Sequence, residues 1–457
     1  MNVYDLIVIG GGPAGYNSAE RAAKAGMTVL LFEKNELGGV CLNEGCVPSK
    51  TLLNSAKIYN YVKHSESYGV EVENKGFVSQ NAVIERKNKV VKRLVTGVRS
   101  KLKNAGVTVI KSAAHVKGKV SDGFCVTSDG EDYLSKKLLI ASGSTPFVPE
   151  IKGLAEGLES GFVLTNREIL NLTEIPERLA IIGGGVIGLE MADYYASVGS
   201  KVIVAEALDK IAGQTDIKVS AVLQKALEKK GVEFRLSAKV KSVGEGCLRC
   251  ENADGGFIIE ADKILLSVGR RAATEGLGLE NIGVEILRGS VVTDDKMRTN
   301  VQNVYAVGDI NGKSMLAHTA YREGEVAVND MLDIDDKMDY KAIPSVIYTT
   351  PEVASVGETL ESAEAKGINA REVNISLMYS GRYIAENTDY TGICRLVYDA
   401  DKHTLIGAHI VGNYASEYIV AVANLIDLEV EIDRVKKLVF PHPTVCEVIR
   451  EAVFEIE

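Results

Sequence analysis

Cys41 and Cys46 bracket Leu42-Asn43-Glu44-Gly45 and are followed by Val47-Pro48-Ser49-Lys50. Two thiols at this spacing close a small disulfide loop, and opening or closing that loop moves two electrons. So short a loop restricts the unfolded chain little, so the pair reads as a redox switch and not as a staple. The Pro-Ser-Lys-Thr-Leu-Leu run after it continues as a helix, and a thiol near a helix N-terminus has its thiolate favoured by the dipole. On residues alone, two unrelated thiols or half of a metal site stay open. The chain has seven cysteines. Cys247-Leu248-Arg249-Cys250 is a CxxC, but no second pair or histidine cluster stands at zinc-like spacing, so it reads as surface strand or turn and no metal is expected. Cys125, Cys394 and Cys446 read as small apolar fillers.

A second constellation is Phe440-Pro441-His442-Pro443-Thr444-Val445-Cys446-Glu447. His442 lies in a proline-stiffened loop before a helix expected over 445–456. Its imidazole suits acid–base work at neutral pH, with Glu447 as candidate orienter. Thr444-x-x-Glu447 equally fits a capping box at a helix start.

Two nucleotide-binding patterns must position this chemistry. The apolar run Tyr4–Ile9 leads into Gly10-Gly11-Gly12-Pro13-Ala14-Gly15, a helix expected over 17–25, and a strand over 27–32 that ends at Glu33. Gly10, Gly12 and Gly15 serve a tight turn, close approach to a pyrophosphate and helix–strand packing, and Glu33 accepts ribose hydroxyls. The helix start binds the pyrophosphate. The pattern recurs: the strand 179–182, then Gly183, Gly185 and Gly188, a helix over 189–197, and the strand 201–205 ending at Glu206. Glu33 stands 23 residues after Gly10, and Glu206 stands 23 after Gly183. Downstream, the stretch from Gly106 to Gly143 spans 37 residues and that from Gly231 to Gly269 spans 38. Two units, one inserted in the other, imply one flavin and one nicotinamide dinucleotide. A carboxylate at Glu206 accepts the free 2′-hydroxyl of NAD and repels a 2′-phosphate, and Ala207-Leu208-Asp209-Lys210 offers no arginine cluster. The strand 303–309 ends in Gly308-Asp309, an acid suited to a ribityl hydroxyl or simply to a turn.

These segments together resemble the dihydrolipoamide dehydrogenases, among the FAD-dependent pyridine nucleotide–disulfide oxidoreductases. The carriers are the first glycine loop, CLNEGCVPSK from Cys41 to Lys50, the second loop through Glu190, SVGRR from Ser267, AVGDI from Ala306, LAHTA from Leu316, YTTPEVASVG from Tyr348 and HPTVCEVIREA from His442. The resemblance runs end to end. It implies Cys41 as interchange thiol and Cys46 as charge-transfer thiolate. Lys50 would approach flavin N5, paired with Glu190. Glu33, Ala114, Ser142, Gly143, Asp309 and Ala317 would contact FAD; Gly183, Gly185, Gly188, Glu206, Val240 and Gly269 would contact NAD. His442 and Glu447 would form a base dyad delivered to the other subunit of a homodimer. The implied reaction oxidises protein-bound dihydrolipoamide with NAD. Implied partners are the lipoyl domains and a peripheral binding domain of a 2-oxoacid dehydrogenase or glycine-cleavage-type complex.

Related reductases differ. Glutathione reductase has a tyrosine where Val186 stands, an alanine for Gly188, and arginines after the second acid. Mercuric and large thioredoxin reductases end in extra redox residues, and this chain ends Ala-Val-Phe-Glu-Ile-Glu. Two departures from the lipoamide pattern are Phe440, where histidine is frequent, and Ala272-Ala273, where Pro-Asn is usual. The rivals are another NAD(P)H-dependent disulfide reductase and a non-catalytic flavin-binding adaptor.

A chain of 457 residues holds several domains. The expected class is α/β: two Rossmann-like dinucleotide-binding domains plus a C-terminal α+β dimerisation domain. The expected bounds are FAD-binding 1–145, NAD-binding 146–268, the return to the FAD-binding part 269–335, and dimerisation 336–457. A net charge of −10 with no basic tract argues against nucleic acid. No apolar span reaches bilayer length. The first strand starts three residues from Met1, so no leader is expected, and scattered cysteines suit a reducing cytoplasm.

Overall fold

The computed structural model describes residues 3–457. Contacts divide the chain into two compact units, one of residues 1–51, 85–147 and 269–339, the other of 52–84, 148–268 and 340–457.

In the first unit the parallel strands Thr108–Ile110, Val29–Phe32, Val3–Ile9 and Glu131–Ile140 lie side by side in that order. Val29, Leu30, Leu31 and Phe32 are all buried, as a parallel strand covered on both faces requires. The long strand Glu131–Ile140 serves further partners. Leu138 to Ile140 pair with Val304–Ala306, and Glu131 to Ser135 pair antiparallel with Gly123–Ser128. The first helix runs Pro13–Lys24, four residues earlier than the alanine-rich pattern indicated. Proline at the first helical position has its φ already set and misses an N–H that no partner needs. The following strand starts only at Val29, because Gly26 turns the chain at φ +95°.

In the second unit a parallel sheet runs in the order Val232–Arg235, Lys201–Ala205, Arg178–Ile182, Lys263–Leu266 and Val163–Leu164. The internal repeat is exact down to backbone bonds. Gly10 N donates to Phe32 O at 2.8 Å, and Gly183 N to Ala205 O at 2.9 Å. Ala141 N reaches Ile9 O at 2.8 Å, and Ser267 N reaches Ile182 O at 2.9 Å. Gly38 N donates to Gly11 O, and Ala212 N to Gly184 O, each at 2.8 Å.

The same unit carries an antiparallel sheet in the order Ser345–Ile347, Val353–Gly357, Thr404–Val411, Ile393–Asp399, Ala370–Ser376. Its residues Ala354, Val356, Leu396, Ala408 and Ile410 share a core with Val422 and Ala423 of the helix Ala415–Asp427 and Ile449 and Ala452 of the helix Glu447–Phe454. Arg395 and His409 are register partners on this sheet, and Arg395 pairs with Asp216, which caps the helix Ile217–Lys229. Among the described residues, no helix is long and apolar enough to cross a membrane.

Candidate active site

Gly38 and Gly39 both take positive φ and open the short helix Gly39–Glu44 that carries Cys41. Only glycine fits here. A Cβ on Gly39 would lie 2.7 Å from Gly12 Cα, and one on Gly38 would lie 2.5 Å from the Leu42 side chain. The Cys41 turn is therefore butted against the first glycine loop. Asn43 ties that turn down, its amide donating to Leu37 O at 3.1 Å and Gly39 O at 2.9 Å. Gly45 breaks the helix, and Cys46 opens the next one, Cys46–Lys63. Pro48 sits in its first turn, where a missing N–H costs nothing.

The two thiols lie near disulfide distance. Cys41 is held protonated, its pKa raised first by the hydrogen bond with Cys46 and then by burial; the nearby Lys50 ammonium opposes this and the Asp309 carboxylate adds to it. The helix that follows the pair begins at Cys46, so the helix start at which a thiolate is expected is that of Cys46 and not of Cys41.

The two glycine loops fit dinucleotide pyrophosphates. Cβ atoms on Gly10 and Gly15 would meet Ala141 O at 2.2 Å and Gly10 O at 1.8 Å, and on Gly183 and Gly188 would meet Ser267 O at 2.6 Å and Gly183 O at 2.2 Å. The chain's own packing demands those glycines. At Gly12 and Gly185 it does not: the nearest atoms would be Gly39 Cα at 3.9 Å and Ser267 O at 4.0 Å. That open ground lies at helix N-termini with no side-chain cap, where N–H groups face an anion. Glu33 accepts Gly11 N and Asn35 N, both at 2.7 Å. Glu206 accepts Gly184 N at 2.6 Å and Leu208 N at 2.8 Å. Each carboxylate keeps further lone pairs for ribose hydroxyls.

Asp309 follows the strand Val304–Ala306 and begins a single turn of 3₁₀ helix. Three side chains that sequence reading missed support it. Ser144 Oγ donates to Asp309, Arg270 Nε donates to Ser144 Oγ at 2.7 Å, and the buried Glu323 accepts Gly308 N at 2.6 Å. Ser142 Oγ donates to Ala273 O at 2.9 Å, Gly143 takes φ +73°, Ala114 is buried, and Ala317 starts the helix Ala317–Met331. Ala272 and Ala273 lie against Ser144 and Gly143, where proline at 272 would remove an antiparallel partner.

In the second unit, Glu190 is buried on the helix Val186–Ser197 and accepts Tyr348 N at 3.0 Å. Val240 lies on the strand Lys239–Gly244, two residues after Ala238, whose N donates to Glu206 O at 2.8 Å. Gly269, in the first unit, takes φ +120° just before the strand Arg270–Ala272.

His442 is 78% exposed at its side chain, and its Nδ1 lies 3.1 Å from Glu447 Oε1. The capping box is only half formed. Glu447 reaches back to Thr444 N at 2.9 Å, but Thr444 Oγ1 donates to Pro441 O at 2.7 Å, so the helix begins at Glu447, later than the expected 445. Cys446 is partly buried and packs against the apolar core of the antiparallel sheet and its helices, and its Sγ lies 3.2 Å from Thr444 Oγ1. Cys247 and Cys250 sit within the strand Cys247–Asn252, not a turn, and burial pushes the Cys250 thiol up to about 11. Among the described residues no side-chain group could hold a metal ion.

Residues 4–324 match the pyridine nucleotide-disulphide oxidoreductase family, and 343–453 match its dimerisation domain. The dihydrolipoyl dehydrogenase of Mycoplasma pneumoniae is 36% identical over 98% of this chain and 97% of its own length. That of Geobacillus stearothermophilus is 37% identical, over 98% and 95%. In fold, the chain is similar to LpdA from Mycobacterium tuberculosis, with a TM-score of 0.89 and 24% identity over 99% of both chains. It is also similar to the HOCl-induced flavoprotein disulfide reductase RclA from Escherichia coli in its Cu(II) complex, with a TM-score of 0.87 and 27% identity over 100% of both chains.

Proposed function

Because the chain belongs to the pyridine nucleotide-disulphide oxidoreductases, we propose that it is a dihydrolipoyl dehydrogenase, oxidising protein-bound dihydrolipoamide to lipoamide with FAD and NAD as its cofactors. The observation that carries the reading is the Cys41–Cys46 pair, near disulfide distance and seated against the first glycine loop.

The reaction starts with the cysteines joined. A substrate thiolate attacks Cys41 Sγ, the bond between the cysteines breaks, and Cys46 leaves as thiolate. The second substrate thiolate attacks the substrate sulfur of the mixed disulfide, closes the lipoamide ring and releases Cys41. Two electrons have then passed to the cysteine pair and two protons have been set free. Cys41, with its raised pKa, keeps one, and His442 accepts the other at Nε2, with Glu447 holding Nδ1. FAD, which the first glycine loop and Glu33 would hold, would supply a two-electron acceptor for the dithiol, and NAD, which the second loop and Glu206 would hold, would supply the final hydride acceptor. Lys50 supplies a fixed cation close to the pair.

The dimerisation domain supports a homodimer. In it, His442 and Glu447 of one subunit serve the thiols of the other. Lipoyl domains of a 2-oxoacid dehydrogenase or glycine-cleavage-type complex deliver the substrate, in the cytoplasm, and a peripheral binding domain holds the enzyme. The test is NADH formation by purified, FAD-loaded protein with dihydrolipoamide and NAD. Glutathione disulfide and other disulfides are assayed in parallel with NADH and NADPH. Faster turnover of one of those disulfides than of the lipoamide couple would overturn the substrate assignment.

A further inference from the structure

Tyr16 and Tyr321 are brought together by two helices that approach at backbone distance. A Cβ on Gly324 of the helix Ala317–Met331 would lie 2.4 Å from Ser18 Oγ of the helix Pro13–Lys24. At that seam the two rings meet edge to face, centroids 6.0 Å apart and planes at 65°, and the two hydroxyls share a short hydrogen bond. Tyr16 is 9% exposed. The start of its helix, at Gly12 and Pro13, is the surface that Gly39 abuts, two residues before Cys41. We propose that this hydroxyl pair is a positioning element for the thiol exchange: the phenol that accepts within the pair turns its own proton toward the Cys41–Cys46 sulfurs and stabilises the thiolate left when the disulfide opens.

Two phenols sharing one bond consume one O–H, so one proton remains to give. Burial raises the pKa of both tyrosines, which keeps both protons in place at neutral pH, and charge on Cys41 is felt by both hydroxyls, charge on Cys46 by Tyr321. In a site of low dielectric, the inner bond polarises the outer O–H and strengthens it.

The inference rests on the dithiol reaction proposed above. Its test reads the reduced protein directly and needs no lipoyl substrate. Tyr321→Phe and Tyr16→Phe keep both rings and delete one hydroxyl each. FAD-loaded protein is reduced anaerobically with dithiothreitol, and thiolate is measured against pH by its rate of trapping with iodoacetamide. The midpoint should rise by about half a unit in either variant, a threefold change in the ionisation constant. The double variant should shift no further, because the hydroxyls act as one chain. KM for NAD and FAD content should not move. A midpoint equal to wild type in both variants, or additive shifts in the double, would overturn the pair's role. Loss of FAD with an unshifted midpoint would reduce it to packing. Wild type that fails on dihydrolipoamide yet gives these shifts would sink the substrate assignment alone.

Discussion

Glu447 serves His442 and Thr444 at once: its carboxylate lies 3.1 Å from His442 Nδ1 and accepts the Thr444 amide at 2.9 Å. The carboxylate fixes the proton on Nδ1 and leaves Nε2 as the basic nitrogen. His442→Gln should lower kcat by about 100- to 10,000-fold, the usual contribution of a positioned base. Glu447→Gln keeps an oxygen for Thr444 N but turns a donor NH2 toward His442 Nδ1 and removes the charge, while the imidazole itself stays, so its loss should be smaller than that of His442→Gln, with KM for NAD unchanged. Steady-state kinetics decide it; wild-type kcat in Glu447→Gln would remove that residue from the reaction.

Gly185→Ala separates ligand fit from folding. Its Cβ would meet no protein atom nearer than 4.0 Å, so melting temperature and FAD content should stay as in wild type. The methyl would occupy ground kept for a pyrophosphate, and KM for NAD should rise at least about tenfold, a loss of about 1.4 kcal/mol. Gly188→Ala should behave differently, because its Cβ would sit 2.2 Å from Gly183 O and the fold itself must give. Thermal melts and NAD titrations of the two variants, compared side by side, check this.

The proposed reaction gives the two sulfurs distinct duties. With Cys46→Ser, anaerobic titration with dihydrolipoamide should give no long-wavelength thiolate–flavin absorbance. With Cys41→Ser, Cys46 remains to give that absorbance without any substrate, while turnover is lost. A band that survives in Cys46→Ser would reverse the assignment.

Acid should act through Asp336. The Arg322 guanidinium, then the Asn329 amide, hold its carboxyl at about 2, against 3.8 for an unperturbed group. A depressed folded-state pKa favours folding above about 4, and that contribution disappears as pH falls toward about 2. Asp336→Asn should therefore be less stable than wild type at pH 7 and nearly equal to it near pH 2. Denaturant melts across that range measure the difference; a constant gap would exclude this carboxyl as its source.

The glycine loops were readable because their demands are local. Positive φ at the first glycine, a Cβ on the third that would strike the first glycine's carbonyl, and an acid at a strand end all lie within one strand–turn–helix–strand segment. The repeat was readable for the same reason, twice. What escaped depends on distance in sequence or on geometry without a pattern. Ser144 and Arg270, which steady Asp309, come from separate segments of the chain. Tyr321 is one aromatic on a helix until Tyr16 is seen against it. Gly38 and Gly39 were visible next to Cys41, but only the approach of Gly39 to Gly12 explains them. The half-made cap at Thr444 could not be foreseen, since its hydroxyl chose between Pro441 O and the helix it precedes.

His442 stands bare on its own chain. If it works on the neighbouring copy, a lone subunit holds every reagent yet lacks the right encounter, and output is governed by mass action. Diluted below the dissociation constant of the pair, the total rate should fall with the square of protein concentration. Hybrids of Cys46→Ser with His442→Gln, each severely impaired alone, should regain a fraction of turnover from the one composite centre that keeps all its parts.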